Sequence, residues 1–201
     1  MRRVLLSVAL VACAAKPPVV HGPSNAVKAE VEQAEKAEEA RQHDVARQHY
    51  ERAIETAQDP QSIGFARREF AETLATWGEI ESARGQLEKA VAAVPDDPIA
   101  WQMLGIVRAS DAIKDIPGAF AALEKSKALA PKAWIPRRDL AVLHWKVGER
   151  DKALAEYKAM LELDLPARLR DKVKWAIDEL SKPSPAGPPP GALAPAPAPS
   201  P

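Results

Sequence analysis

The sequence has little cysteine, with only Cys13 among its 201 residues. No intrachain disulfide can form, and no set of thiolates is available for a structural zinc ion. The four histidines do not form an H-E-x-x-H motif, and no C-x-x-C-H haem motif occurs. We therefore expect no metal and no cofactor. Each histidine is interpreted as a surface or packing residue.

The chain also lacks an excess of charge of either sign, since Lys+Arg and Asp+Glu both number 28. A partner rich in phosphate groups is normally matched by a basic excess, so this balance argues against nucleic acid. Neither a G-x-S-x-G nucleophile motif nor a glycine-rich phosphate-binding loop is present. We therefore expect a protein that is not an enzyme and has no small-molecule substrate.

Strand-like patterns are missing as well. No stretch alternates apolar and polar residues convincingly over the length of a strand, and β-branched residues are sparse. The abundant residues are Ala, Glu, Leu and Arg, which are strong helix formers. The composition predicts an all-α fold.

The N-terminus has the pattern of a secretion signal. Met1-Arg2-Arg3 is basic, and residues 4–12 are almost wholly apolar. This run is too short for a transmembrane helix, which needs about 20 residues. Two other interpretations stay open: an ordinary signal peptide in which Cys13 is incidental, or a cytosolic chain with a chance apolar start.

Leu10-Val11-Ala12-Cys13 resembles the lipobox of bacterial lipoproteins. The resemblance implies that residues 1–12 are removed, that Cys13 is lipidated, and that the acyl chains anchor the protein to a membrane. Ala14 follows the cysteine, where lipoproteins that avoid the outer membrane often carry Asp. We expect a protein anchored in the outer membrane and facing the periplasm.

The remainder divides by composition. Residues 13–25 include three prolines and Gly22, which favour an extended tether. Residues 182–201 are almost entirely Pro, Ala, Gly and Ser, a composition that cannot build a core and predicts a disordered tail. Residues 26–181 lie between them and contain the repeats.

Prolines mark the repeat period: Pro60, Pro95, Pro131 and Pro166 are spaced 35, 36 and 35 residues apart. Upstream of each is a small-x3-large-x2-small pattern. Its four instances are Ala46/Tyr50/Ala53, Ala83/Leu87/Ala90, Ala119/Leu123/Ser126 and Ala153/Tyr157/Met160.

This period, together with the W-x2-L-G motif of Trp101, Leu104 and Gly105, resembles the tetratricopeptide repeat (TPR). The resemblance implies a right-handed α-solenoid of about four helical hairpins. A capping helix over residues 167–180 is expected to place Leu169, Val173, Trp175, Ile177 and Leu180 largely on one face. The first hairpin is degenerate, since its turn lacks glycine, and it could instead be a long charged helix pair or partly frayed.

TPR arrays usually bind protein partners in a concave groove lined by the first helix of each repeat. Carried over by register, the groove positions are Phe65, Arg68, Glu72, Ile99, Gln102, Ile106, Arg138, Val142, Trp145 and Lys146. Trp145 is expected to be exposed there, with Arg68 and Arg138 orienting an apolar extended segment or helix of an envelope protein. The alternative is that Ile106, Val142 and Trp145 pack against an adjacent helix.

The asparagine-containing clamp that TPR cochaperones use on carboxyl termini is absent, because no Asn follows Asn25. The sequence thus predicts a lipid-anchored scaffold or adaptor for another protein in a bacterial envelope assembly. The alternative is a self-associating structural protein of the envelope, with the Pro/Ala tail as a spacer.

Overall fold

The computed structural model describes residues 22–183, and within that range the chain forms nine α-helices without strands. The helices are α1 (Asn25–Glu39), α2 (His43–Thr56), α3 (Pro60–Thr76), α4 (Ile80–Ala93), α5 (Pro98–Arg108), α6 (Ile116–Leu129), α7 (Ile135–Lys146), α8 (Arg150–Leu161) and α9 (Ala167–Ser181). Four antiparallel hairpins form, from α1 with α2, α3 with α4, α5 with α6, and α7 with α8. The last helix, α9, packs on α8. The predicted all-α solenoid of four hairpins and a capping helix is confirmed.

Aspartates and prolines determine where several helices begin. The Asp59 carboxylate accepts the Ser62 backbone N–H, and the Asp97 carboxylate accepts those of Ile99 and Ala100. These side chains satisfy donors that have no partner inside the helix. Pro60 and Pro98 occupy the first helical position, where a proline loses no hydrogen bond.

The small-large-small pattern forms the packed faces of the second helices. All twelve of its residues are buried, in α2, α4, α6 and α8. Gly105 of α5 shows why small residues are needed, because a Cβ built there would lie 2.6 Å from Leu123 Cγ of α6. The helices of this hairpin can approach so closely only with glycine at that position.

The first hairpin is formed despite its degenerate sequence. α1 and α2 are separate helices, joined by a turn in which Arg41 has φ 58°. The Gln42 N–H donates to the Ala37 carbonyl at 2.8 Å and closes the end of α1. The alternatives for residues 25–56, a long charged helix pair or a partly frayed segment, are therefore not supported.

The capping helix differs from the prediction at one residue. Val173 and Leu180 are buried, but Trp175 is 50% exposed and Ala176 is buried. The reason is helical geometry, since residues two apart do not share a face. Trp175 therefore cannot lie on the same side of α9 as Val173.

The predictions for residues 1–21 and 184–201, which include the signal peptide, Cys13 and most of the tail, lie outside the described residues. No helix between residues 22 and 183 has the length and apolar character needed to cross a bilayer.

Candidate protein-interaction surface

The first helices of the hairpins form one layer of the molecule. α1 packs on α3 and α3 packs on α5, in addition to the contacts within each hairpin. α5 is joined to α7 by a buried hydrogen bond of 2.5 Å from Gln102 Nε2 to Asp139 Oδ2. We call the side of this layer that faces away from α2, α4, α6 and α8 the inner face. The sequence predicts that the ten groove positions lie on this face.

At the N-terminal end, Arg68 is held by acidic neighbours. Its guanidinium lies 2.9 Å from Glu69 Oε1 and 3.8 Å from Asp97 Oδ2, and it is 5.8 Å from the centre of the Phe65 ring. The Arg68 side chain is only 16% exposed. These contacts fix the guanidinium within the wall of the face, and its charge is already compensated.

Several carboxylates lie near one another at this end. Burial raises the pKa of Glu69, and repulsion from Glu72 and Glu35 raises it further, against the attraction of Arg68. Burial also raises the pKa of Glu35, together with repulsion from neighbouring carboxylates that include Glu72 of α3. Charges on α1 and α3 therefore act on one another across the face. Within residues 22–183, neither the Glu35 nor the Glu72 carboxylate has an ion-pair partner.

Glu38 of α1 is a further carboxylate near this end. Its Oε2 accepts a hydrogen bond of 3.2 Å from Trp77 Nε1, while its Oε1 is buried without a partner among the described residues. Tyr50 is close to several of these charges. Burial is the main cause that raises its pKa to about 12, and repulsion from Glu35, Glu69 and Glu38 contributes.

The middle of the inner face is apolar. Ile99 of α5 is 48% exposed, and Ile106 is half-buried on the same helix. Beside Ile99, where the edge of the inner face meets the end of α6, is a notch of about 110 Å³ that the starts of α5 and α7 also line. Its lining includes Pro98, Ala133 and Ile135. Ile99 is the most exposed large aliphatic side chain among residues 22–183, ahead of Val45 and Val147.

A charged network lies beneath the apolar region. Asp139 has no exposed surface, and its Oδ1 is 2.6 Å from Arg138 Nη2. Burial raises the pKa of Asp139, whereas Arg138 and the hydrogen bond from Gln102 lower it. The Arg138 guanidinium also lies 5.6 Å from the Trp134 ring. The Gln102 side chain joins α5 to α7 through its hydrogen bond to Asp139. Because Gln102 is only 6% exposed, it offers little surface to a partner.

At the C-terminal end, two predicted groove residues are buried. Trp145 is 6% exposed and Val142 is 4% exposed, and both belong to the core between α7, α8 and α9. Trp145 lies edge-on to Tyr157 with ring centres 6.3 Å apart, and it contacts the ring of Trp175 at 6.1 Å. The expectation that Trp145 is exposed is wrong, because α9 covers it.

Lys146 and Trp175 are both accessible near that end. Lys146 Nζ pairs with Asp111 Oδ1 at 3.0 Å, and both side chains are substantially exposed. Trp175 rests on Trp145 with half of its surface in solvent. Trp175 was not among the predicted site residues. The sequence signal for its exposure is spacing: Trp175 is two residues from Val173, and residues two apart on a helix face different sides.

The face brings Arg68, Glu72, Ile99 and Ile106 onto neighbouring helices, and it leaves the binding role of the ten predicted residues untested. Across residues 22–183 no group of three or more His, Cys, Asp or Glu side chains is arranged to hold a metal ion. The surface combines an acidic region on α1 and α3, an apolar region on α5 and an exposed tryptophan on α9.

Comparison with known proteins gives likenesses in structure. No protein-family model matches this chain. No curated protein matches it. The crystal structure of MamA protein is similar with a TM-score of 0.59 and 18% identity, over 77% of this chain and 86% of that chain.

TTC0263, a thermophilic TPR protein in Thermus thermophilus, is similar with a TM-score of 0.57 and 22% identity. That likeness covers 77% of this chain and 81% of that chain. The fold is TPR-like. At these identities the likeness concerns the arrangement of helices, and the chemistry of the inner face has to be argued from this chain's own residues.

Proposed function

We propose that this chain is a protein-binding scaffold that holds a segment of another protein against the inner face of its TPR-like array. The observation that carries the proposal is the open apolar region of that face, where Ile99 and the notch beside it remain exposed. Among residues 22–183, Val45 and Val147 are the other large aliphatic side chains exposed to a similar degree, and neither lies beside such a notch. An open apolar region of this kind is suited to contact with a partner.

The second part of the proposal concerns location. The lipobox-like Leu10-Val11-Ala12-Cys13 supports a lipid anchor at Cys13, and Ala14 supports the outer membrane. Anchoring would keep the array at the membrane surface, facing the periplasm, where it would recruit a component of an envelope assembly. The partner is expected to be an envelope protein.

Site-specific photocrosslinking tests the proposed face. A photoreactive amino acid at Ile99 should give a covalent adduct with a partner protein in cells. The same residue at Val45, which is 40% exposed on α2, is the matched control and should give none. Equal adducts at both positions, or adducts at Val45 alone, would exclude the inner face as the binding surface.

The self-associating alternative is separated by the same experiment. If the adduct at Ile99 has twice the mass of the chain and contains no second protein, the array binds its own copy. Light scattering of the purified protein would then show an oligomer. An adduct with a different protein together with a monomer in light scattering supports the scaffold.

The lipid anchor is tested separately by Cys13→Ser. The wild-type chain should incorporate a labelled fatty acid and sediment with the outer membrane, whereas Cys13→Ser should remain unlabelled and soluble. Membrane association that persists in Cys13→Ser would contradict lipidation at this residue and would leave the binding proposal intact.

A further inference from the structure

We propose that the occupant of the inner face is an extended segment of another protein with Lys or Arg side chains at one end and aliphatic side chains at the other. This rests on the proposed function and specifies the chemistry of the partner. The basic end would lie against α1 and α3, and the aliphatic end against α5 and the start of α7.

Charge complementarity supports the basic end. Glu35 of α1 acts on Glu69 and Glu72 of α3, while Arg68 already pairs with Glu69 and faces Asp97. Glu35 is exposed and Glu72 is half-buried, and neither has an ion-pair partner among residues 22–183. An incoming ammonium or guanidinium group would supply one.

The apolar half supports the other end. Ile99 is half-exposed next to the notch lined by Ala133 and Ile135, and Ile106 follows Ile99 by seven residues on α5. Residues seven apart lie on the same side of a helix. Aliphatic side chains of a bound segment would cover Ile99 and fill the notch.

The dimensions set the length of the segment. Packed helices lie roughly 10 Å apart, so three steps from α1 to α7 span about 30 Å. An extended chain advances about 3.3 Å per residue, so about nine residues cover the face.

The segment is expected to come from another molecule. Residues 184–201 contain no Lys or Arg, so the chain's own C-terminal tail cannot supply the basic end. If the chain is cleaved before Cys13, the 13–25 segment keeps a single Lys or Arg residue, Lys16. It also contains one histidine, His21. A single lysine does not match the three carboxylates Glu35, Glu69 and Glu72.

The test begins with a displayed library of random peptides of about 12 residues, a length that exceeds the estimated span of the face. The library is selected against the full chain, and the consensus peptide is synthesised with a fluorescent label. We expect Lys or Arg clustered at one end of the consensus and Leu, Ile or Val at the other. Its dissociation constant is then measured by fluorescence anisotropy.

Three variants locate the bound peptide. Glu35→Gln with Glu72→Gln should weaken binding roughly threefold to tenfold, since two partly exposed ion pairs are lost. The difference should shrink at about 0.5 M salt, where exposed charges are screened.

The control, Glu51→Gln with Glu55→Gln, removes the same charge from exposed positions on α2 and should change affinity less than twofold. Ile99→Asp should weaken binding by removing the aliphatic contact.

The outcomes separate the two proposals. A consensus without basic residues, or equal effects of the two glutamate pairs, overturns this inference. If Ile99→Asp still weakens binding, the proposed function stands without it. Binding that none of the variants changes overturns both. An oligomer that dissociates when Glu35 and Glu72 are replaced would make the occupant a second copy, which also overturns the inference.

Discussion

At the scale of single residues, two glycines in helix interiors have opposite roles. A Cβ at Gly105 would approach Leu123 Cγ to 2.6 Å and the Ala119 carbonyl oxygen to 3.2 Å, whereas a Cβ at Gly85 would meet nothing within 4 Å. Gly105→Ala should therefore lower the free energy of unfolding by about 1–3 kcal/mol through overpacking. Gly85→Ala should raise it by about 0.5–1 kcal/mol, because alanine favours the helix.

Urea unfolding followed by circular dichroism measures both changes. Because the two variants make the same substitution in neighbouring hairpins, their difference isolates the close approach of α5 and α6. Stabilisation by both substitutions would contradict the packing at Gly105.

The charges of the inner face give a pH dependence of stability. Glu69 has a raised pKa in the folded chain, chiefly because it is buried, so the folded chain binds more protons than the unfolded chain above the unfolded value near 4.5. Stability then falls as pH rises through the folded pKa. Relative to the wild type, the unfolding free energy of Glu69→Gln should therefore increase as pH rises from 4.5.

Glu30→Gln is the matched variant, because the pKa of Glu30 is shifted in the opposite direction from that of Glu69. Hydrogen bonds from His49 and Arg52 lower the pKa of Glu30, so its contribution is present above pH 4.5 and is lost as pH falls through the folded pKa. Relative to the wild type, Glu30→Gln should lose stability as pH rises. Thermal unfolding over a pH series should show the two differences diverging, and parallel curves would contradict the assignment of these charges.

Some of these residue-level features were not predictable from the sequence. The repeat register assigned Trp145 to the groove, and nothing in the spacing indicates that α9 covers its ring. Likewise, Gly85 and Gly105 both occur within helical patterns, and only the distance to the next helix separates them. By contrast, the small-large-small positions followed from periodicity alone, because a repeat must bury that face.

At the scale of the elements, three hairpins share one turn geometry. Gly78 and Gly148 have φ 82°, and Arg41 takes the equivalent place with φ 58°. In each turn the N–H of the following residue donates, over 2.8 Å, to the carbonyl five residues before it. A non-glycine residue in this left-handed conformation is strained by roughly 1–2 kcal/mol.

Arg41→Gly should therefore stabilise the first hairpin, by about 0.5–1 kcal/mol after the greater entropy of glycine in the unfolded chain is included. Gly78→Ala is the complementary change and should destabilise by about 1 kcal/mol, since the space around Gly78 is open and only its backbone is at issue. Chemical denaturation of both variants measures the effects. A loss of stability in Arg41→Gly would mean that its side chain contributes more than its backbone strain costs.

The missing glycine had left the first hairpin open to two other interpretations. The turn forms because α1 and α2 still bury Val27, Val31 and Tyr50 in a common core. Packing therefore outweighs the local preference at Arg41. The sequence predicts this hairpin only if burial of its apolar face is taken to stabilise it more than the unfavourable turn residue destabilises it.

At the scale of the whole molecule, contacts are mainly between neighbouring helices. One core joins α1 through α6, a small one joins α5, α6 and α7, and a third joins α7, α8 and α9. Such arrays unfold in units along their length, and a terminal helix protects the unit before it. α9 contributes Val173, Ala176 and Leu180 to the third core, where they lie with Trp145 and Tyr157.

A chain that ends at Pro166 should therefore lose hydrogen-exchange protection in α7 and α8, while α1 to α4 keep theirs. The control ends at Pro183 and removes residues 184–201, which contain only Pro, Ala, Gly, Ser and one Leu. This composition does not support a core, so the control should match the full chain. Exchange monitored by mass spectrometry reports each helix separately. If protection fell equally in α1 and α8 after removal of α9, the array would unfold as a single cooperative unit, and the dependence on neighbouring helices would be wrong.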